Sequence, residues 1–187
     1  MCKKIDLTKI RLFAMDVDGT LTDGKIYMGE EGELFKAFQV KDGLGIKLLR
    51  LHKILPVIIT GRCSGILMNR CRELGITEVY QDVKDKASVM QKLRAKYNLA
   101  VDETAYIGDD LNDLPAMKEA GVVFAPADCG KQILPFVDVH LTKKAGDCPV
   151  REAVDLIMDA HQFDLSDYIN ALEDFKSNQS EVVIRHW

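Results

Sequence analysis

Residues 10–24 read IRLFAMDVDGTLTDG, and the rest of the chain is organised around this segment. The apolar run from Ile10 to Val17 has the length and composition of a short buried strand, and it ends in Asp16-Val17-Asp18-Gly19-Thr20. In extended backbone, residues two apart share a face, so Asp16 and Asp18 point the same way at the strand's carboxyl end.

The same grammar recurs further along. Apolar runs at Leu55–Ile59, Glu78–Tyr80, Thr104–Ile107, Val122–Phe124 and Val137–Leu141 each read as a strand. Segments with helical spacing lie between and after them, at Leu44–Leu51, Ser64–Leu74, Lys86–Tyr97, Leu111–Ala120 and Val150–Met158. This alternation predicts an α/β fold, a doubly wound parallel sheet covered on both faces. Ligands of such sheets bind beyond the carboxyl ends of the strands. There the chain places Thr60-Gly61-Arg62 after the second run, Gln81 and then Lys86 after the third, and Gly108-Asp109-Asp110-Leu111-Asn112-Asp113 after the fourth.

Two stretches break the rhythm. Residues 24–42 hold two β-prone arms around Glu30-Glu31-Gly32, a hairpin inserted between the first strand and its helix. Near the end, Leu165, Tyr168, Ile169, Leu172 and Phe175 recur at spacings of three and four, predicting an amphipathic helix followed by a β-prone EVVIRHW tail. The expected organisation is one domain over residues 1–162 and an appended helix and tail over 163–187.

The 187 residues, 47% apolar and 29% charged, suit one soluble globular domain. Net charge is −4 with no basic run, which argues against nucleic acid and for a small-molecule partner. No apolar stretch reaches the ~20 residues of a membrane span, nor does the N-terminus carry a signal-peptide run, so the cytoplasm is the expected location. Five cysteines without C-x-x-C spacing point to free thiols.

The strand-end residues supply the parts of phosphoryl transfer. Asp16 can act as nucleophile and form an acyl phosphate, while Asp18 can protonate the leaving alkoxide and then activate water. Crowding of Asp16, Asp18, Asp109, Asp110 and Asp113 calls for a cation, and hard oxygen donors beside a phosphate favour Mg²⁺. Asp16 and Asp109 are expected as direct ligands with the Asp18 carbonyl, and Asp110 and Asp113 behind them or through water. Lys86 would fix a positive charge beside the nucleophile, and Thr60 with neighbouring N–H groups would bind phosphoryl oxygens. Gly61, Arg62, Arg70 and Asn112 are the expected substrate contacts, the guanidinium groups suiting a carboxylate. Plainer roles exist: Thr60 could cap a helix, Lys86 could pair with Asp82 or Asp85, Arg70 with Glu73, and Arg151 with Asp155.

DVDGTLTDG, ITGR, Lys86 and GDDLND, in that order, resemble the four motifs of haloacid dehalogenase superfamily phosphatases. FQVKDGLGIKLL, TGRCSGILMNRCRELGI and VREAVDLIM are similar to the capless branch that acts on phosphorylated sugar acids, and the likeness spans residues 10–161. It implies a Rossmann-like core without a cap domain, and hydrolysis of the phosphate of an eight-carbon 3-deoxy sugar acid for lipopolysaccharide precursors. It also implies a homotetramer in which the hairpin helps form the interface and a neighbouring subunit completes the site. Relatives acting on nine-carbon sialic-type acids tend to carry Glu at the Arg62 position, so Arg62 favours the eight-carbon substrate over that alternative. Departures from the branch are Asp82 where Gly is usual, and Ala145-Gly146-Asp147-Cys148-Pro149-Val150-Arg151-Glu152 in place of Gly-Gly-x-Gly-Ala-x-Arg-Glu. Fewer glycines and an added proline make this loop stiffer.

Two other classes compete. Receiver-type phosphoacceptor modules also combine an acidic pair, an acceptor Asp, a Thr and a Lys, but their acidic pair comes at the first strand. In this chain the D-x-D comes first and the acidic pair late. A non-catalytic assembly module is opposed by the intact motif set.

Overall fold

The computed structural model describes residues 5–164, 166 and 168–170. Six strands, β1 (Leu12–Met15), β4 (Leu55–Ile59), β5 (Glu78–Tyr80), β6 (Thr104–Ile107), β7 (Val122–Ala125) and β8 (Val139–His140), form one sheet in the order β5-β4-β1-β6-β7-β8. Every pairing in it is parallel; β1 lies at the centre, with Met15 opposite Ile58 of β4 and Ile107 of β6. That register ends three strands at the same level, so Asp16, Thr60 and Gly108-Asp109 follow side by side.

Both faces are covered, which is why β1 is apolar without alternation and wholly buried. Phe13 and Met15 enter one core with residues of α1 (Val40–Leu51), α2 (Gly65–Leu74) and α5 (Pro149–Ala160), among them Ile46, Leu67 and Val154. Leu12 and Ala14 enter the other, with Met90 and Leu93 of α3 (Lys86–Tyr97) and Met117 of α4 (Leu114–Met117). Ser64 caps α2 through an Oγ that accepts from Leu67 N at 3.1 Å, and Asp85 caps α3 through Ser88 N at 3.2 Å.

Between β1 and α1 the chain inserts a two-stranded antiparallel hairpin, β2 (Tyr27–Gly29) and β3 (Gly32–Phe35), with the stacked rings of Tyr27 and Phe35 4.2 Å apart. It is shorter than the expected 24–42 span, because α1 begins at Val40 rather than Leu44 and takes Asp42 into its first turn. Glycines masked that start: Gly43 and Gly45 lower helix propensity, yet a Cβ at Gly45 would stand 3.2 Å from Arg151 Cδ, so the absence of a side chain lets α1 approach α5. The helix expected over Leu111–Ala120 is a 3₁₀ turn at Leu111–Asp113 followed by the single turn of α4, with Pro115 at its start.

Phe163 and Tyr168 pack against the main core, and Ser166 and residues 168–170 are helical. Leu165, Leu172, Phe175 and the EVVIRHW tail of the expected C-terminal helix lie outside the described residues. Among the described residues no helix is long and apolar enough to cross a membrane.

Candidate active site

At the shared strand ends Asp16, Asp109 and Asp113 each offer a carboxylate oxygen within 4.8 Å of the others. Lys86, the first residue of α3, points its ammonium between two of them, donating to Asp16 Oδ1 at 2.7 Å and to Asp113 Oδ1 at 2.6 Å. Asp113 is also held by the Tyr106 hydroxyl at 2.6 Å, and its Oδ2 accepts from Asp109 N at 2.9 Å. Asp113 therefore ties the loop after β6 to the lysine. Two glycines make room: Gly19 has φ +94, a Cβ there would stand 2.2 Å from Asp109 Oδ2, and one at Gly108 would stand 2.4 Å from Asp113 Cγ.

The electrostatics follow from this packing. Burial first, and the Asp113 charge second, push the Asp16 carboxyl up to about 6 in spite of Lys86. Burial, then Asp113, Asp16 and Asp110, push Asp109 up to about 8. Burial works against the charge of Lys86, but Asp113 and Asp16 outweigh it and raise its pKa, so the lysine stays ionised. One internal cation thus faces three clustered carboxylates and bonds to two of them, Asp16 and Asp113.

A divalent cation fits what is left. Asp109 Oδ1 is buried and without a hydrogen-bond partner among the described residues, and the donors are all hard oxygens. Asp113, by contrast, spends its oxygens on Lys86, Tyr106 and the backbone N–H groups of Asp109 and Asp110.

The structure distributes the remaining candidates unevenly. Thr60 is buried at the end of β4, where its Oγ1 accepts from Arg62 N at 3.3 Å; the helix cap is Ser64 instead. Asp18 receives the Lys36 ammonium on Oδ1, and Arg62 Nε stands 3.7 Å from its Oδ2. Exposed Asp110 accepts from Leu111 N at 2.7 Å and caps the 3₁₀ turn that contains Asn112. Gly61 is exposed at the start of the loop to α2. Arg70 is engaged elsewhere, paired with Glu73 at 2.8 Å and donating to the Gln39 carbonyl at 3.4 Å. Arg151 pairs with Asp155 at 2.7 Å, and Asp82 takes Lys84, which leaves Lys86 to the carboxylates.

Lys36, Glu33 and Tyr106 carry the polar contacts that motif reasoning passes over. Lys36 and Glu33 sit in a hairpin whose pattern signals only β-structure. Tyr106 lies in an apolar strand where its ring reads as core. Its only sequence signal is the hydroxyl, which requires a buried partner.

A doubly wound sheet that gathers D-x-D, Thr, Lys and a late acidic cluster at one edge defines a hydrolase built for phosphoryl transfer. The chain belongs to the haloacid dehalogenase-like hydrolase family, whose model matches residues 53–148. It is 42% identical to 3-deoxy-D-manno-octulosonate 8-phosphate phosphatase KdsC of Escherichia coli (strain K12) over 149 residues, covering 80% of this chain and 79% of the relative. A solved structure of that phosphatase from Yersinia pestis superposes with TM-score 0.81 at 43% identity, over 83% of this chain and 84% of that one. The Moraxella catarrhalis phosphatase, solved with magnesium, phosphate and KDO, gives TM-score 0.81 at 39% identity over 91% and 95%.

Proposed function

We propose that this chain is a Mg²⁺-dependent phosphatase that hydrolyses 3-deoxy-D-manno-octulosonate 8-phosphate to the free sugar acid and phosphate. The observation that carries the chemistry is the buried Lys86 held between Asp16 and Asp113 beside the unpaired Asp109 oxygen. The substrate rests on the relatives and on Arg62.

In this mechanism an Asp16 carboxylate oxygen attacks phosphorus, the P–O bond to the sugar breaks, and Asp18 gives its proton to the leaving alkoxide. Water then attacks the aspartyl phosphate, Asp18 takes the water's proton, and the bond from phosphorus to Asp16 breaks. Lys86 keeps the nucleophile oriented, and its fixed charge stabilises the transferring phosphoryl group, whose oxygens the Thr60 hydroxyl can reach. Mg²⁺, held by Asp16, Asp109 and the Asp18 carbonyl with Asp113 supporting the loop, would neutralise charge on the phosphoryl oxygens when bound. Gly61, Arg62 and Asn112 are the proposed contacts to the leaving sugar, on the ground that Gly61 and Asn112 are exposed and Arg62 lies beside Asp18; with its guanidinium committed to Glu73, Arg70 is the weakest of the proposed contacts.

The working assembly is a homotetramer in the cytoplasm, its product feeding lipopolysaccharide precursors, with residues 1–162 as the domain and 163–187 as its appendage. The apolar outer face of the hairpin supports a subunit interface, since Met28 is 59% and Leu34 62% exposed. The test is a screen of phosphate esters with Mg²⁺, using Asp16→Asn as inactive control. The octulosonate 8-phosphate should rank above a nonulosonate 9-phosphate and simple hexose phosphates. A flat ranking refutes the substrate, and full activity in Asp16→Asn refutes the nucleophile.

A further inference from the structure

Besides its apolar outer face, the hairpin turns two charged side chains inward, Glu33 and Lys36. Lys36, just after β3, has a side chain only 3% exposed, a rare place for a lysine. Its ammonium donates to Asp18 Oδ1 and lies 3.0 Å from Glu33 Oε1. Glu33 Oε2 accepts from the Ser64 hydroxyl, and Ser64 is the cap of α2. The Asp18 carboxylate is therefore gripped by a cation from the hairpin on one oxygen and approached by Arg62 on the other.

Stability alone does not account for this arrangement. Glu33 and Ser64 already join the hairpin to α2, and ordering and desolvating a lysine is costly. What Lys36 adds is a fixed direction for Asp18.

We infer that Lys36 is a positioning residue, holding Asp18 in the orientation needed at the leaving oxygen and at the hydrolytic water, with Glu33 and Ser64 fixing Lys36. The inference rests on the function proposed above, in which Asp18 moves the protons. It predicts an effect that depends on the leaving group. A sugar alkoxide needs a proton to depart and p-nitrophenolate does not, whereas hydrolysis of the phospho-enzyme needs Asp18 with either ester.

The experiment compares wild type, Lys36→Met and Lys36→Arg on 3-deoxy-D-manno-octulosonate 8-phosphate and on p-nitrophenyl phosphate, with rapid quench to trap phospho-enzyme. Lys36→Met should lower kcat on the sugar ester by ~100-fold while KM moves less than about threefold. With the aryl ester, phospho-enzyme should form within about threefold of the wild-type rate and then accumulate. Lys36→Arg should recover turnover to within about tenfold of wild type. Because the ratio between the two esters does not depend on the folded fraction, a poorly folding variant still reports. Equal losses in the rate of phospho-enzyme formation on both esters, aryl-ester phospho-enzyme that does not accumulate, a change in KM alone, or unchanged turnover would each overturn the assignment. Wild-type protein that hydrolyses neither ester with Mg²⁺ would refute the proposed function, and the role of Lys36 with it.

Discussion

Asp109 is held where its charge is unwelcome: burial, and then the carboxylates of Asp113, Asp16 and Asp110, move its pKa from 3.8 up to about 8. A carboxyl group whose folded pKa lies above its unfolded value takes up protons on folding. Its penalty is therefore absent below about pH 4, grows through the interval from 3.8 to about 8, and is complete above it. At ~1.4 kcal/mol per pH unit the interval corresponds to an upper figure on the order of 6 kcal/mol. Residual solvent contact and local relaxation bring the expected value to about 3 kcal/mol. Asp109→Asn keeps the shape and removes the charge. In EDTA at pH 8.5 this variant should melt about 6–12 °C above wild type, and at pH 5 the gain should shrink to about 1 kcal/mol. Saturating Mg²⁺ should stabilise wild type by a few kcal/mol at ~100 times its Kd, leave the variant unmoved, and so narrow or reverse their order. Turnover of the variant should be lost. Thermal melts at two pH values, with and without Mg²⁺, decide the matter. A metal-free variant no more stable than wild type at pH 8.5 would refute the claim that Asp109 carries an uncompensated charge, and with it the physical reason for a cation here.

Two further substitutions probe the same edge of the sheet and the loop beside it. Lys86→Met leaves Asp16 and Asp113 buried without their ammonium, so metal-free protein should lose about 3–5 kcal/mol at pH 8 in urea unfolding. The loss should be smaller below pH 6, where Asp16 takes up a proton; a cost independent of pH would point to packing instead. Cys148 stands in the left-handed region at φ 68, where the family pattern has Gly. Cys148→Gly should therefore be more stable than Cys148→Ala by about 1 kcal/mol, the reverse of the usual order, and equal melting points would exclude strain there.

Much of this was legible because buried parallel strands leave a strong trace. The six apolar runs give the sheet, and the residues after them give Asp16, Thr60, Lys86 and Asp109, since strand ends are set by the same register that aligns the cores. The failures have a common physical cause: contacts that depend on side-chain direction in irregular or short elements leave no period. Nothing in FKAFQ says that Lys36 turns inward rather than out, and while the i,i+3 spacing in GILMNRCREL offers Arg70 to Glu73, nothing in it says that the guanidinium also reaches the distant Gln39 carbonyl. Two of the departures from the family pattern are clearer in the fold than in the sequence. Asp82 and Cys148 both adopt positive φ, at 53 and 68, so the backbone has kept the shape of a glycine position while the side chain has changed.

The placement of one lysine among three carboxylates explains why the site needs something from outside. Lys86 divides itself between Asp16 and Asp113, and Asp113 is further satisfied by Tyr106 and by the backbone of its own loop. These contacts fix the geometry before any ligand arrives, so the nucleophile and the acidic loop are already in register. They leave Asp109 unneutralised, with a buried oxygen that no described residue meets. A second lysine there would stabilise the fold and close the site to a divalent ion. With a carboxylate too buried to ionise comfortably, stability is withheld until a cation or a proton comes, and in slightly alkaline solution only the cation suffices.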